Sequence, residues 1–493
     1  MRLEEKYIKF GYFWLPENQQ NSIAGVLSIY DGGRAELEIM GNFDEDKEIG
    51  FICEHENIRL KRIIGFVEDD GLVTLENCIY LKKSFGFGNI TKSKILANTV
   101  LSGAEWGADE IVTFNTFSFS VDCLDEWVEI SGIHVESDWK NRSVSISYNR
   151  PEKINFILDN GMEIEINFHY TSPSFPHIKE AKITQKAYFT LKSEELRKLN
   201  DFIAIAYKIT NLMCFAMDKV VSIKNVSATS SKKLDKLGED EYPTEIKLFY
   251  QAITFVETVP KRHSFEMLFN FKIIRNNAQQ IFNNWLNAYE YLSPAFSLYF
   301  STQRGDQKYL DGRFLALVQG LETYHRRTSD EKLMKKEVYE SLVSKILGAC
   351  PEEHLEWLKG RLMHGNEITL SKRLKMLIEP FKCFLGTNSE RNKLLRQIVN
   401  TRNYLTHYDE NLKDKLVTGR DLWILCLKME VIFQFHFLHV IGFTTEDIKK
   451  TVENCTKLKN KIEEIKKRIR PNKIFEFLFS NQIIISDINY ILV

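Results

Sequence analysis

The sequence lacks the cysteine pairs that mark disulfide or zinc frameworks. Its eight cysteines stand far apart and none forms a CxxC pair, so a reduced, cytosolic protein is expected. The nearest approach to metal-ligand spacing is Cys53 and His55, with Cys78 a hairpin's distance away. A four-ligand zinc site needs more than this, and whether the three residues bind a metal stays open.

Other chemical signatures are also missing. The sequence has no Gly-rich phosphate loop and no nucleophile elbow, which argues against NTPases and hydrolases of those classes. The first residues, MRLEEKYIKF, carry acids where a signal peptide would be apolar. No apolar run reaches the roughly 18 residues of a membrane span. We therefore expect a cytoplasmic chain with no membrane contact and no cofactor.

Charge is balanced over the whole chain but polarised along it. The formal net charge is −1, yet residues 1–200 carry 22 Lys and Arg against 32 Asp and Glu, whereas residues 301–493 sum to +8. Any site for a polyanion is therefore expected in the C-terminal third.

The first 190 residues have the pattern of short strands joined by tight turns. Apolar and polar residues alternate, and turn sequences rich in Asp, Asn and Gly stand between the runs at residues 31–33, 69–71 and 159–161. Such turns supply the positive φ angles of hairpins, so the pattern predicts an antiparallel sandwich or barrel-like sheet. Most tryptophans here are expected in the core, although aromatic β surfaces also bind sugars or proteins; they are Trp14, Trp106, Trp127 and Trp139.

At Ser193 the spacing of the apolar residues changes from every second residue, typical of strands, to nearly every fourth, typical of helices. Ser193 is the expected N-cap of a long helix. Residues 227–245 are predicted to form an exposed polar loop, and residues 244–253 to return to strand. From Phe265 onward nearly every segment has helical periodicity.

Two of these helices have informative apolar patterns. The segment RFLALVQGLETYHRR is predicted to bury one face, made of Phe314, Leu317, Val318, Leu321 and Tyr324. The segment DLWILCLKMEVIFQFHFLHVIG is apolar almost all round, which predicts a central buried helix ending near Gly442 with His436 and His439 as core histidines.

We predict an α+β protein, with an N-terminal antiparallel β-rich domain followed by a C-terminal all-α bundle. The predicted divisions are a β-rich sensing domain at 1–192, a mixed and mostly helical connection at 193–300, a helical domain at 301–445, and a basic helix and tail at 446–493. The basic side of that last helix is expected to be a solvated face.

The segment NTRNYLTHYDE, residues 400–410, places an arginine and a histidine near one helix end. Arg402 follows Ile398 by four residues and therefore lies in the apolar phase. Because arginine is rarely buried without a partner, it should face an interface, a cleft or an ion pair. Asn403 and His407 are four residues apart and share one line of the helix.

These residue types can cleave RNA. A guanidinium that holds a phosphate beside an imidazole that moves a proton near neutral pH is the minimum equipment for attack by the RNA's own 2′-hydroxyl. The spacing alone is a weak signal, because chance predicts about one such pair in a chain with 11 histidines. The apolar-phase arginine, the helical context and the basic third of the chain strengthen it.

Three charged residues on a neighbouring helix have two interpretations each. Glu322 is predicted to pair with Arg402 or orient His407, or else to form a surface ion pair with Arg326. Arg326 and Arg327 are candidates for holding RNA phosphates, although paired surface arginines usually have no specific role.

Two aromatic residues flank the motif. Tyr404 and Tyr408 are positioned to stack on a base, a contact worth about 1–3 kcal/mol where it exists, and packing beside a helix end explains them equally well.

The segment Arg-Asn-Tyr-Leu-Thr-His at 402–407 resembles the Arg-x4-6-His signature of HEPN domains. The flanking GRFLALVQGLETYHRR and LSKRLKMLIEPF resemble the ApeA-like branch of these proteins. The N-terminal GYFWLPE, AGVLSIYDGGRAELEIMG and WVEISGIHVE are similar to the β-rich domain that accompanies this branch. The resemblance spans residues 10–440.

The resemblance implies a helical-bundle, metal-independent endoribonuclease that stops phage growth by abortive infection. Arg402 and His407 match the family's catalytic pair, and Asn403 matches the polar residue often found after the arginine. The implied substrate is cellular RNA, possibly tRNA, and the implied activator of the β domain is a phage protein.

Assembly follows from the resemblance and from the chemistry. One arginine and one histidine must bind the phosphate, accept a proton and donate another, so two copies around a twofold axis are expected to share one groove. We expect a homodimer or a dimer of dimers. The alternative function is a non-catalytic dimeric HEPN-type protein that recognises a protein partner through its β domain.

Overall fold

The computed structural model describes residues 1–43, 59–85, 91–173, 175 and 178–466. Cys53 and His55 lie outside these residues. The chain divides into two compact units, residues 1–286 and 287–493, each of which is described by itself below. The predicted α+β class, β-rich first and helical second, is confirmed.

The first unit is built from short alternating segments that form strands. Its strands are β1 Tyr7–Trp14, β2 Ile23–Ile29, β3 Ala35–Ile39, β4 Arg59–Val67, β5 Gly71–Phe85, β6 Thr91–Ser102, β7 Thr113–Val121, β8 Ile133–Asp138, β9 Ser143–Tyr148, β10 Ile154–Ile157, β11 Glu163–Thr171, β12 Thr184–Lys198, β13 Ile223–Thr229, β14 Leu234–Leu237, β15 Asp240–Pro243 and β16 Ile246–Tyr250. Its helices are α1 Leu124–Val128, α2 Leu199–Ala216 and α3 Phe271–Ile274, and α4 Ala278–Arg304 follows.

Six of these strands close into a barrel. They run in the order β6, β3, β2, β1, β4, β5, and β5 pairs again with β6, with all pairings antiparallel. Residues of alternate positions fill the interior, among them Phe13, Leu27 and Leu75, which are fully buried. The alternation read from the sequence is the signature of such an interior, because successive strand residues face opposite sides.

The remaining large strands extend the same sheet from β6 through β16, β13, β7, β12, β11 and β10. Helix α2 packs on β7 and β12, where Phe202 stacks on Phe117 with ring centroids 5.8 Å apart. Strands β13 and β16 lie between β7 and β6, so residues beyond 192 complete the sheet. The boundary at residue 192 falls inside β12, and residues 193–286 belong to the compact unit of the N-terminal strands.

The three expected hairpin turns are confirmed. Residues 31–33, 69–71 and 159–161 connect β2 to β3, β4 to β5 and β10 to β11. Gly33 shows why glycine is required at one of them: its φ is +90°, and a Cβ there would lie 2.0 Å from the backbone oxygen of Tyr250.

Two local predictions were wrong. Ser193 is not a helix N-cap, because β12 continues to Lys198 and, after an irregularity, pairs with β7 again at Arg197 and Lys198. Residues 227–245 are not a plain loop: they include the end of β13 and an exposed hairpin of β14 and β15. In both cases backbone pairing with a partner strand outweighs the polar sequence.

Most of the four tryptophans lie in the core, as expected. Trp14, Trp106 and Trp127 are buried. Trp139 is 90% exposed and lies between β8 and β9, which pair only with each other among the described residues.

The second unit is helical throughout its described part. It contains the C-terminal part of α4, then α5 Leu310–Thr328, α6 Lys336–Gly348, α7 Leu355–Leu362, α8 Leu370–Ile378, α9 Asn388–His407, α10 Gly419–Val440, α11 Thr445–Asn454 and α12 Thr456–Lys466. Short 3-10 segments at Glu379–Phe384 and Glu410–Lys415 precede α9 and α10.

Helix α10 is the core of this unit, as predicted. The whole predicted face of α5 is buried. The two helices approach closely at Gly320, where a Cβ would lie 2.7 Å from the ring of Phe433. By length and composition α10 resembles a membrane span, but 67% of its most apolar window is buried inside the protein, as expected for the core helix of a bundle.

The two histidines of α10 differ. His436 is buried, and its Nε2 lies 2.9 Å from the carbonyl oxygen of Leu377, as predicted. His439 is exposed, so its assignment to the core was wrong: it lies in the last turn of α10, where the buried stripe ends. In α12, Leu458 and Ile462 are buried and Ile465 is half-buried.

Candidate active site at the end of helix α9

Helix α9 is defined by local signals at both ends. Thr387 and Glu390 form a capping box at its start. Its buried residues are Leu394, Leu395, Ile398 and Thr401. The helix ends at His407 because Tyr408 adopts the left-handed conformation with φ 51°. The candidate pair therefore lies in the last turn and a half of a well-anchored helix.

Arg402 lies at the edge of the buried face. It is half-buried, and its Nη1 donates to Asn403 Oδ1 at 3.1 Å. Among the described residues its guanidinium has no carboxylate partner. The fully buried position belongs to its neighbour Thr401, whose hydroxyl accepts the backbone N–H of Val417 at 3.2 Å. This bond ties the end of α9 to the segment that leads into α10.

His407 is exposed, and its side chain makes no hydrogen bond to any residue that the structure describes. Asn403, one turn earlier, faces the same side. Because α9 is a regular helix, Arg402 and His407 point in directions roughly 140° apart. The helix thus brings the two residues into one turn and a half but does not aim them at one point.

The two flanking tyrosines contact each other. The rings of Tyr404 and Tyr408 meet edge to face with centroids 5.7 Å apart, and Tyr408 is 69% exposed. The two rings therefore form an aromatic surface beside His407. Stacking of an RNA base on this surface stays a prediction.

Of the three predicted partners of Glu322, the structure selects Arg326. Its Oε1 lies 3.0 Å from Arg326 Nη2, four residues along α5, and Arg326 also pairs with Glu367 Oε2 at 3.0 Å. No bond from Glu322 to Arg402 or His407 occurs among the described residues. Because two carboxylates neutralise Arg326, the exposed Arg327, which has no ion pair in the described part of the chain, is the better candidate for phosphate.

A buried polar cluster was missed by the sequence reasoning. Arg373 on α8 and His325 on α5 are each 2% exposed. Arg373 Nη2 lies 2.6 Å from Glu367 Oε2, and its Nη1 lies 3.3 Å from His325 Nδ1. Since arginine only donates, Nδ1 accepts and the proton of the neutral imidazole resides on Nε2.

The electrostatics of this cluster are consistent with a neutral histidine. Burial lowers the pKa of His325, and the nearby Arg373 lowers it further. One signal was available in the sequence: Arg373 precedes the buried Leu377 by four residues, the same apolar-phase position that drew attention to Arg402.

Metal ligands do not gather in the part of the chain that the structure describes, where no group of three or more His, Cys, Asp and Glu side chains converges. Cys78 is buried, and burial raises the pKa of its thiol, which disfavours the thiolate that binds metals. Cys53 and His55 lie outside the described residues.

Comparison with known families places both units. Residues 9–285 match the family model described as ApeA N-terminal domain 1. Residues 315–447, which include all of α9, match the family model described as Apea-like HEPN. Searches of the curated proteins and of the solved structures returned no match.

Proposed function

Because this chain belongs to the ApeA family of HEPN-domain defence proteins, we propose that its helical unit is a metal-independent endoribonuclease that cuts cellular RNA during phage infection. The observation that supports the proposal most is the state of Arg402. Among the described residues of this unit, five other arginines form ion pairs with carboxylates, namely Arg304, Arg313, Arg326, Arg373 and Arg420. Arg402 is half-buried and has no carboxylate partner in the described part of the chain, as expected of a group that awaits an anion.

The proposed reaction uses the RNA's own 2′-hydroxyl. An imidazole takes the hydroxyl proton, the 2′-oxygen bonds to phosphorus, and the bond from phosphorus to the 5′-oxygen breaks. The leaving oxygen receives a proton, and the products carry a 2′,3′-cyclic phosphate and a 5′-hydroxyl. His407 transfers protons, Arg402 stabilises the charge that develops on the phosphate, and Asn403 orients the guanidinium through the bond described above.

The side chains of Arg402 and His407 point in different directions, which favours a site shared by two chains. With Arg402 and His407 pointing roughly 140° apart on one helix, a second α9 across a twofold axis supplies the missing group. Two arginines repel each other until a phosphate lies between them, so RNA favours the closed arrangement. The proposed assembly is a homodimer or a dimer of dimers.

The remaining parts of the proposal concern control. An active toxin of this kind kills its host, so the first unit is proposed to restrain the nuclease until it senses infection, with a phage protein as the proposed activator and the cytoplasm as the proposed location. The acidic balance of residues 1–200 against the basic C-terminal third offers an electrostatic means of covering an RNA path. tRNA is a proposed target.

The decisive experiment combines end chemistry with mixed variants. Protein purified from phage-infected cells, in which the proposed restraint is released, should cleave RNA in the presence of EDTA and leave 2′,3′-cyclic phosphate ends. Arg402→Ala and His407→Ala should each be inactive. If the site is shared between copies, co-expressed Arg402→Ala and His407→Ala chains should regain part of the activity, because each mixed dimer retains one arginine and one histidine.

Two results would contradict this mechanism. Cleavage that EDTA abolishes would indicate a metal-dependent nuclease. An active monomer in sedimentation would exclude the shared site while leaving the assignment of the two residues intact.

A second candidate function is protein recognition without catalysis. It is favoured by the β8–β9 hairpin, which exposes Trp139, Val135, Val144 and Ile146, an unusual concentration of apolar side chains on a two-stranded element. Phage defence that survives in the Arg402→Ala and His407→Ala variants but is lost on Trp139→Ala would favour the binding function over the nuclease.

A further inference from the structure

The outward face of α9 carries a regular row of hydrogen-bonding side chains that leads to His407. Lys393, Arg396, Asn400, Asn403 and His407 follow one another at intervals of three and four residues, so they line one side of the helix. Lys393 and Arg396 are exposed, and Asn400 and Asn403 are half-buried. The row lies opposite the buried stripe of Leu394, Ile398 and Thr401.

Helix α9 carries four cationic side chains and one acidic side chain. None of its four cationic residues, Arg391, Lys393, Arg396 and Arg402, forms an ion pair with any described carboxylate. Its one acidic residue, Glu390, belongs to the capping box at the far end. The neighbouring helices differ, since Lys372 on α8 pairs with Glu331 at 3.3 Å and Arg420 on α10 pairs with Glu464 at 2.9 Å.

A further cation adds to this field. Burial lowers the pKa of Lys428 on α10, the nearby Glu390 carboxylate raises it, and the charge of Lys393 lowers it again. The two ammonium groups are therefore close enough to repel each other. Positive charge left without partners along one face is the electrostatic footprint of a polyanion site.

We propose that this face, defined by Lys393, Arg396 and Asn400, binds the phosphates of single-stranded RNA on one side of the cleavage point. The inference rests on the proposed nuclease function, because His407 marks where the strand is cut. Arg396 lies about 16 Å and Lys393 about 21 Å from His407 along the helix axis. They therefore contact phosphates several nucleotides from the scissile bond and contribute to binding rather than to chemistry.

Single-stranded RNA fits this row better than duplex RNA. Proteins bind duplex RNA through 2′-hydroxyls and phosphates across its wide minor groove, which one straight row of donors does not span, whereas an extended strand can follow such a row. The half-buried Tyr404 and the exposed Tyr408 beside His407 offer the aromatic surface on which unpaired bases stack.

The salt dependence of binding measures these contacts directly. The probe is a short fluorescein-labelled single-stranded RNA of mixed sequence, and the protein is the full chain carrying His407→Ala so that the probe survives. Each phosphate contact on single-stranded nucleic acid adds about 0.7 to the slope of log affinity against log salt. Adding Lys393→Ala and Arg396→Ala should therefore reduce the slope by about 1.4.

A matched control has the same charge change elsewhere on the unit. Lys345 on α6 and Arg361 on α7 are exposed and have no ion pair in the described part of the chain. Lys345→Ala with Arg361→Ala should leave the slope unchanged. Equal slopes for both double variants, or no RNA binding at all, would overturn the proposal, and capture of an acidic protein without RNA binding would assign the face to a protein partner instead.

The outcome is separable from that of the nuclease proposal. If wild-type protein cleaves RNA while the Lys393 and Arg396 variant keeps the full slope, only the inference about this face fails. If the slope falls as expected but wild-type protein cleaves no RNA in EDTA, the face binds RNA and the nuclease mechanism fails.

Discussion

Two arginines of the helical unit, Arg373 and Arg402, occupy similar positions and have opposite surroundings. Both lie on a helix beside a buried stripe, in the apolar phase of the sequence. Arg373 is 2% exposed, with Glu367 and His325 as partners, whereas Arg402 is half-buried and its guanidinium bonds, among the described residues, only to Asn403. A structural guanidinium has a carboxylate nearby that neutralises it. A guanidinium that binds a substrate phosphate lacks such a carboxylate, so that the phosphate can take this position.

The histidines show the same division. His325 and His436 are buried and contact Arg373 and the Leu377 carbonyl, respectively, while His407 is exposed at the end of α9. Burial without a carboxylate partner suits a neutral core imidazole, and exposure beside an arginine that has no described carboxylate partner suits proton transfer.

The largest expected effect is on catalysis. His407→Ala should lower RNA cleavage by about 10²- to 10⁴-fold, the usual contribution of a general acid or base, with an unchanged melting temperature because the side chain is exposed. The measurement is the initial rate on labelled RNA, with thermal unfolding of the same samples. Wild-type rates in this variant would remove His407 from the mechanism and with it the comparison drawn above.

Arg373→Met should affect stability instead. The substitution leaves the buried His325 Nδ1 without its donor, while Glu367 loses one cation and keeps Lys332 and Arg326. A buried polar group left without its partner typically costs about 1–3 kcal/mol, so we expect about 2 kcal/mol. Urea unfolding of the full chain measures it, and Lys375→Ala, at an exposed neighbouring position without an ion pair in the described residues, is the control. A variant as stable as wild type would show that Arg373 is not structural.

The buried His436 predicts a pH dependence of stability. Burial lowers its pKa from 6.5 to about 4, so between these values the unfolded chain binds a proton that the folded chain does not. Stability is therefore complete above about pH 6.5 and falls as the pH drops towards 4, by about 2 kcal/mol at pH 5 from this residue.

The substitution His436→Gln should flatten that part of the stability profile, while His354→Gln, at an exposed site, should not. A small slope should remain in the His436 variant, because the pKa of His325 is lowered as well. Unfolding curves at a series of pH values provide the test, and an unchanged profile in His436→Gln would contradict the assignment.

The smallest effect is expected at Arg326. This residue is 47% exposed and pairs with Glu322 and Glu367, and exposed pairs contribute about 0–1 kcal/mol. Arg326→Ala should therefore change both stability and the cleavage rate little. A strong loss of cleavage at normal stability would show that the Glu322–Arg326 pair supports the active site and would revise its structural interpretation.

Much of the fold was predictable where the signal is local. The hairpin turns at residues 31–33, 69–71 and 159–161 are set by glycine at positive φ angles. The buried faces of α5 and α10 follow from apolar periodicity. The start of α2 was mispredicted because Ser193 resembles an N-cap locally, while β12 pairs with β7, about eighty residues away in sequence.

The residues of the candidate site could be predicted from the sequence, but the contacts of the residues around it could not. Arg402, Asn403 and His407 lie within six positions on one helix, so their neighbourhood is a local property. The partner of Glu322 was left open between Arg402, His407 and Arg326, and only the fold decides it in favour of Arg326. The Arg373–His325 pair was missed because 48 residues separate its members.

The sequence by itself therefore determined where turns, strands and helices occur and which chemical groups stand at the end of α9, because φ angles, periodicity and capping depend on residues a few positions apart. Only the tertiary structure decided that β5 returns to β6 to close a barrel, that Arg373 is neutralised, and that the four cations of α9 form no ion pair with a described carboxylate. The physical reason is that strand pairing and ion pairing depend on distance in space, and folding brings together groups that lie tens of residues apart in the chain.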